Sequence, residues 1–149
     1  MNDKIDFYSL ISLMKKLRSP DGCPWDKIQD KDTLRQFLLE ETYEVLDALE
    51  SGDTEKIKEE LGDLLLQVVF LSQLFKEQSK FHIDDVIEVI YKKLIHRHPH
   101  VFSDLQLNTP TEVINNWEKI KLNEKKEKRN SIFDDIPNSF PSIEKAHKV

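Results

Sequence analysis

Apolar residues at Ile5, Tyr8, Ile11, Met14 and Leu17 recur every third position, as one face of a helix requires, and predict a helix over residues 5–17. The pattern then breaks. Pro20, Gly22 and Pro24 crowd around Cys23 and Trp25, removing helix donors and permitting turns, so residues 19–32 read as an ordered loop. Asp32 is the predicted N-cap of a second helix that ends near Glu50. Gly52 supplies its stop, and Asp53 caps a third helix reaching residue 78. So short a connection folds the second and third helices into an antiparallel hairpin. A fourth helix over residues 83–96 carries Val86, Ile87, Ile90 and Leu94 on one side and is ended by Pro99. Thr109, Pro110 and Glu112 then combine an N-cap, a first-turn proline and a capping-box glutamate ahead of a fifth helix bearing Ile114, Trp117 and Ile120. No stretch alternates with period two for long enough to demand a strand. The predicted fold is an all-α bundle of about five helices over residues 1–129. Residues 130–149, punctuated by Pro137 and Pro141, read as a mobile tail or a docking arm.

The chemistry lies in polar residues that occupy apolar positions. At about 100° per residue, Leu34, Phe37, Leu38 and Val45 fall within roughly 60° of Glu41, and Glu44 lies beside Phe37. Glu40 and Asp47 project about 100° to 120° away, toward solvent. In the next helix Ile57, Leu64, Leu71, Leu74 and Phe75 share the arc of Glu60, while Asp63 sits beside Phe70 and Leu74. Each acidic pair has i,i+3 spacing and projects from one side of its helix, so an antiparallel hairpin brings both pairs together. Unpaired carboxylates on apolar faces are strongly disfavoured and call for compensating cations or a water-filled cleft. Two Mg2+ ions, which take carboxylate and water oxygens and bridge to phosphates, would balance the charge. Gly62, between Glu60 and Asp63, is expected to leave room for the site. The alternative, solvated glutamates on acidic helices, accounts for Glu40, Glu50, Glu55 and Glu59. A diiron bundle would need Glu-x-x-His pairs on two helices, and the one such spacing, Glu144 to His147, falls in the tail.

Composition narrows the classes of function. The 149 residues are 38% hydrophobic and 34% charged, and the net charge of -6 argues against a nucleic-acid duplex as the main partner, because such binding neutralises phosphates with Lys and Arg. Cys23 is the single cysteine and can form no internal disulfide. With Asp3 and Asp6 near the start in place of a basic and then apolar leader, the chain reads as cytoplasmic. The longest apolar stretch, residues 64–75, is interrupted by Gln67, Ser72 and Gln73, and a membrane role has no support. His96, His98 and His100 lack an accompanying cysteine or regularly spaced carboxylate, so helix capping or loop packing is preferred over zinc. The basic run over residues 119–129 reads as a solvated helix face, and Cys23 as a structural thiol.

Glu40-Glu41-Thr42-Tyr43-Glu44 followed by Glu60-Leu61-Gly62-Asp63 resembles the paired EExxE and ExxD motif of the MazG-type pyrophosphohydrolases. Gly22-Cys23-Pro24-Trp25-Asp26, Arg97-His98-Pro99-His100-Val101-Phe102 and Asn116-Trp117-Glu118-Lys119-Ile120-Lys121 extend the likeness to the N-terminal domain of MazG, in order along nearly the whole chain. The resemblance implies an all-α, dimeric enzyme that uses Mg2+ or Mn2+ to hydrolyse nucleoside triphosphates to monophosphate and pyrophosphate by attack of a metal-activated water. Glu41, Glu44, Glu60 and Asp63 would be the metal-binding and catalytic residues, the four that helical phase selects. By the same resemblance Lys56, Lys93, Arg97, Trp117 and Lys121 would contact phosphate or base. Trp25 either packs over the base or anchors its loop. Longer MazG proteins carry a second related domain where this sequence ends, which leaves a rival from another class: a non-catalytic module retaining the metal site for nucleotide sensing or protein binding. Apolar positions around the third helix, including Leu65, Leu66 and Val69, predict self-association.

Overall fold

The computed structural model describes residues 4–126, and the predicted tail lies outside them. Seven helices and no strand form among the described residues: α1 (Phe7–Leu17), α2 (Pro24–Ile28), α3 (Lys31–Ser51), α4 (Thr54–Glu77), α5 (Ile83–Arg97), α6 (Pro99–Phe102) and α7 (Pro110–Lys126). They fall into two compact units that meet in sequence between Val89 and Ile90, within α5.

In the first unit, α3 and α4 form the predicted antiparallel pair and α1 packs on α4. The hairpin turns where it was expected. Gly52 adopts the left-handed conformation with φ 70° that favours glycine, and the Asp53 carboxylate accepts the amides of Glu55 and Lys56. Met14, Leu34, Val69, Phe70 and Leu74 form the core, with Phe7, Leu10, Ile11, Leu17, Phe37, Leu66 and Leu71 packed against it. Burial of one side chain of this kind stabilises by about 1.5–3 kcal/mol, so these residues hold the hairpin together.

Two local expectations are corrected, and Pro99 ends α5 as expected. The helix α3 starts at Lys31 with Asp30, not Asp32, as its N-cap. The Asp30 carboxylate accepts from the amides of Asp32 and Thr33, and the Thr33 hydroxyl accepts from the Asp30 amide. These bonds hold the Asp30 carboxyl below its usual range, the Thr33 amide contributing most. The segment 19–32 is not all loop, because Pro24 occupies the first position of α2, where its missing N–H costs nothing. Pro99 likewise follows the end of α5 and opens the four-residue α6.

A dense set of contacts fixes α2 to the unit. The Cys23 amide donates to the Leu17 carbonyl at 2.7 Å, and a Cβ on Gly22 would lie 2.1 Å from that same oxygen. Only glycine permits this close approach. Arg18, whose guanidinium lies 5.4 Å from the Phe70 ring centre, donates from Nη1 to the Asp26 and Gln29 carbonyls and from Nε and Nη2 to Glu77. The Glu77 carboxyl is held below its usual range mainly by that hydrogen bond from Arg18. Trp25 is thereby set against Phe37, ring centres 5.8 Å apart.

The expected outward apolar positions are redistributed. Val69 is 2% exposed and Leu66 packs against the core, whereas Leu61, Leu65 and Val68 on α4 and Leu39, Tyr43 and Leu46 on α3 face outward. Each set recurs at helical spacing, so the exposed apolar surface forms a stripe on each helix.

In the second unit the predicted capping box forms. Glu112 accepts the amides of Asn108 and Thr109, and its own amide donates to the Thr109 hydroxyl. This holds the Glu112 carboxyl below its usual range, the Asn108 amide contributing most. No described helix is long and apolar enough to cross a membrane.

Candidate active site

The helical phases of α3 and α4 bring the inward carboxylates together. Oxygens of Glu41, Glu60 and Asp63 lie within 4.8 Å of one another, and all three residues are half-buried. Glu44 is exposed along most of its length, but its carboxyl shares a hydrogen bond with that of Glu41. Burial, this hydrogen bond and the charges of Asp63, Glu44 and Glu40 push the Glu41 carboxyl up to about 7. Glu60 is raised too, first by burial and then by Glu44, while Lys56 opposes the rise. Lys56, one turn before Glu60 on α4, is thus electrostatically coupled to the group as its sequence position implied. Gly62 does not make room for the cluster, because it is exposed and a Cβ there would meet nothing within 4 Å.

Such an arrangement of hard anionic oxygens, crowded enough to raise two of their pKa values, is suited to a hard divalent cation. Bringing a cation in would relieve the repulsion that now favours protonation of Glu41. Among the described residues this is the grouping with metal-ligand geometry. The histidines form none: the His98 ring nitrogen Nδ1 lies 2.6 Å from the Leu94 carbonyl at the end of α5, and its ring leans on His100 at 5.7 Å. That matches the capping and loop-packing expectation.

A cleft of about 400 Å³ opens beside the carboxylates, within the size range of small-molecule sites. Trp25 and Phe37 form an aromatic wall, Glu40, Glu41 and Glu44 line the edge shared with the acidic cluster, and Gln67 lies among the apolar residues. Glu40 is exposed, as its phase predicted, yet its side chain still borders the cleft. Trp25 packs on Phe37, as a loop anchor would, and is 54% exposed at the wall of the cleft. Sequence reasoning missed Gln67, which is 6% exposed and whose Oε1 has no hydrogen-bond partner. The signal was present, since Gln67 stands seven residues after Glu60 and therefore on the same face of α4.

The remaining candidates gather in the second unit. The Arg97 guanidinium lies 5.5 Å and the Lys121 ammonium 4.2 Å from the Trp117 ring centre, so the indole carries two cations. Arg97 also pairs with Glu124 at 2.6 Å, and Lys121 with Glu118 at 3.0 Å. The hydrogen bond from Arg97 is the first cause holding the Glu124 carboxyl below its usual range, with Lys93 contributing at longer reach. All four predicted residues of this unit, Lys93, Arg97, Trp117 and Lys121, therefore belong to one electrostatic neighbourhood.

The chain is similar to known proteins. The chain is 43% identical over 144 residues to YabN of Bacillus subtilis, covering 97% of the chain and 29% of that protein. It is 46% identical over 142 residues to the nucleoside triphosphate pyrophosphohydrolase of Escherichia coli strain K12, covering 94% of the chain and 54% of that protein. The chain thus spans about half or less of the length of these relatives. The crystal structure of a mazG-related protein from Thermotoga maritima superposes with a TM-score of 0.65 at 24% identity, covering 77% of the chain and 98% of that structure, and shares the fold. Residues 29–102, which contain α3, α4 and every inward carboxylate, match the MazG nucleotide pyrophosphohydrolase domain. With the helical hairpin, its acidic cluster and these likenesses in agreement, residues 29–102 of the chain are a MazG nucleotide pyrophosphohydrolase domain.

Proposed function

We propose that this chain hydrolyses nucleoside triphosphates, ribo or deoxy, to the monophosphate and pyrophosphate, with Glu41, Glu44, Glu60 and Asp63 as ligands of Mg2+ or Mn2+. The observation that carries the reading is the convergence of three carboxylates within 4.8 Å at the edge of an aromatic-walled cleft. A divalent ion held there would polarise phosphoryl oxygens and acidify a coordinated water. The chain's own contribution is positional. Glu41 and Glu44 from α3 and Glu60 and Asp63 from α4 fix the donor atoms on two packed helices. One of the carboxylates would act as base toward the attacking water. Trp25 would offer a ring face against which a base stacks and Lys56 a cation beside the carboxylates, while Lys93, Arg97, Trp117 and Lys121, grouped within the second unit, would contact phosphate or base as the family resemblance implies.

Incubation with a panel of triphosphates and deoxytriphosphates in millimolar Mg2+ tests this directly. Monophosphate and pyrophosphate should appear in equal amounts from the outset. Orthophosphate as the first product would assign the chain to another hydrolase class, and tight binding without turnover would favour the non-catalytic module.

The stripes of Leu39, Tyr43 and Leu46 on α3 and Leu61, Leu65 and Val68 on α4 support a homodimer, since a second copy would cover them. Light scattering at micromolar concentration should give twice the 17.6 kDa chain mass, and substitution of Leu46 and Leu65 by glutamate should give the monomer. A wild-type monomer would refute the assembly.

A further inference from the structure

The cleft beside the acidic cluster has a lopsided hydrogen-bonding character. Among the described residues its polar lining consists of Asp26, the three glutamates, Gln67 and the indole of Trp25, with no lysine, arginine, histidine, serine or threonine. Ionised carboxylates are acceptors only, and the proton on Glu41 is taken up by its hydrogen bond with Glu44, so the wall is rich in acceptors and poor in donors. Gln67 also lines it, on a side chain only 6% exposed, and its Oε1 is buried without a hydrogen-bond partner. An orphaned buried acceptor is costly in a native interior and is satisfied when a ligand brings a donor to it. Gln67 also stands one turn beyond Asp63 on α4, about 6 Å along the helix axis. A group lying against it is therefore adjacent to the end of the molecule that the carboxylates would hold.

We propose that Gln67 is a specificity-determining residue whose Oε1 accepts a hydrogen bond from the amino group of a base stacked on Trp25, so that the cleft selects amino-bearing bases over their carbonyl counterparts. The inference rests on the pyrophosphohydrolase reading above and deepens it. Cytosine and adenine present an amino group to the orphaned acceptor. Uracil and hypoxanthine place a carbonyl oxygen at the same position, against Gln67 Oε1 and among carboxylates, where it meets repulsion in place of a hydrogen bond. Apolar contact with Phe37 and Phe70 serves all four bases alike and does not discriminate.

The test compares kcat/KM for the pairs CTP with UTP and ATP with ITP, using the full chain in Mg2+, and inorganic tripolyphosphate as a substrate without a base. Wild type should prefer the amino member of each pair by about 5- to 150-fold, the span expected when a buried acceptor is left unpaired. The preference should reside mainly in KM. Gln67→Met, close in shape but without an acceptor, should bring both ratios toward one. Gln67→Glu, which keeps an acceptor, should retain the preference. Equal kcat/KM within both pairs in wild type overturns the proposal with no variant needed, as does a ratio that survives in folded Gln67→Met. Failure of every substrate, tripolyphosphate included, would sink the catalytic reading instead. Titration of CMP against UMP then decides the base selection by itself, with equal affinities counting against it.

Discussion

Replacing Glu41 with glutamine is expected to lower kcat/KM by at least about 100-fold, beyond the about 10- to 100-fold typical of groups that merely orient a ligand. The substitution keeps length and helix propensity but removes a charged oxygen from the cluster of Glu41, Glu60 and Asp63. It leaves the fold in place, because Glu41 contributes no ion pair to the core of Met14, Leu34, Val69, Phe70 and Leu74. Glu40→Gln is the internal control. Glu40 is adjacent and chemically identical, yet exposed, and it reaches the site only as a border of the cleft and a charge that raises Glu41. Its loss should cost about tenfold or less. Measuring both variants across a Mg2+ titration, with circular dichroism to confirm helicity, separates a lost ligand from a lost fold. Equal losses would mean that helical phase has misassigned the two glutamates, and an unimpaired Glu41→Gln would remove the site from consideration.

The contrast between Glu40 and Glu41 was legible in the sequence because phase within a long helix depends only on spacing. Errors at helix ends do not disturb it. The same arithmetic placed Glu60 and Asp63 on the face of Leu74, and the chain stop at Gly52 with its cap at Asp53 fixed the turn that brings the two helices together. What escaped depends on shorter or longer range. The helix α2 has five residues, too few for any period to register. Asp30 and Asp32 are equivalent as candidate caps until the Thr33 hydroxyl completes a box with one of them. Leu66 and Val69 looked outward because α1 packs on a face of α4 that no hairpin argument includes. Gln67 was noted only as an interruption of an apolar run, although its position seven residues after Glu60 already placed it on the face of the carboxylates. In the second unit, i,i+4 spacing anticipated Lys121 beside Trp117. Arg97 over the same ring, between helices, required tertiary structure.

Removing metal should make the protein less stable as pH rises through neutrality, opposite to the usual behaviour of carboxylates. Glu41 titrates near 4.5 in an unfolded chain and at about 7 in the folded one. Between those values the native state binds the extra proton, so stability falls with increasing pH. The stabilisation is fully present below about pH 4.5 and lost as pH rises through about 7. Glu60 is shifted in the same direction and adds to the trend. The carboxyls held low, Asp6, Asp30, Glu77, Glu112 and Glu124, have the opposite sign but act below pH 4.5, outside this window. For half-buried Glu41 the loss is on the order of 1 to 3 kcal/mol after allowance for solvent screening. Melting in EDTA should therefore give a lower Tm at pH 8 than at pH 5.5 by several degrees. Millimolar Mg2+ should restore it at pH 8 by linkage, since the ion binds only the assembled carboxylates. Glu41→Gln should remove most of the pH dependence in EDTA and most of the gain from Mg2+, leaving a metal-free protein more stable at pH 8 than wild type. The substitution expected to abolish turnover is thus expected to stabilise the fold. The repulsion it removes is the one that the cation of the proposed reaction would relieve. A flat Tm across this range in EDTA, with no response to Mg2+, would mean that the four carboxylates are not crowded enough to hold an ion.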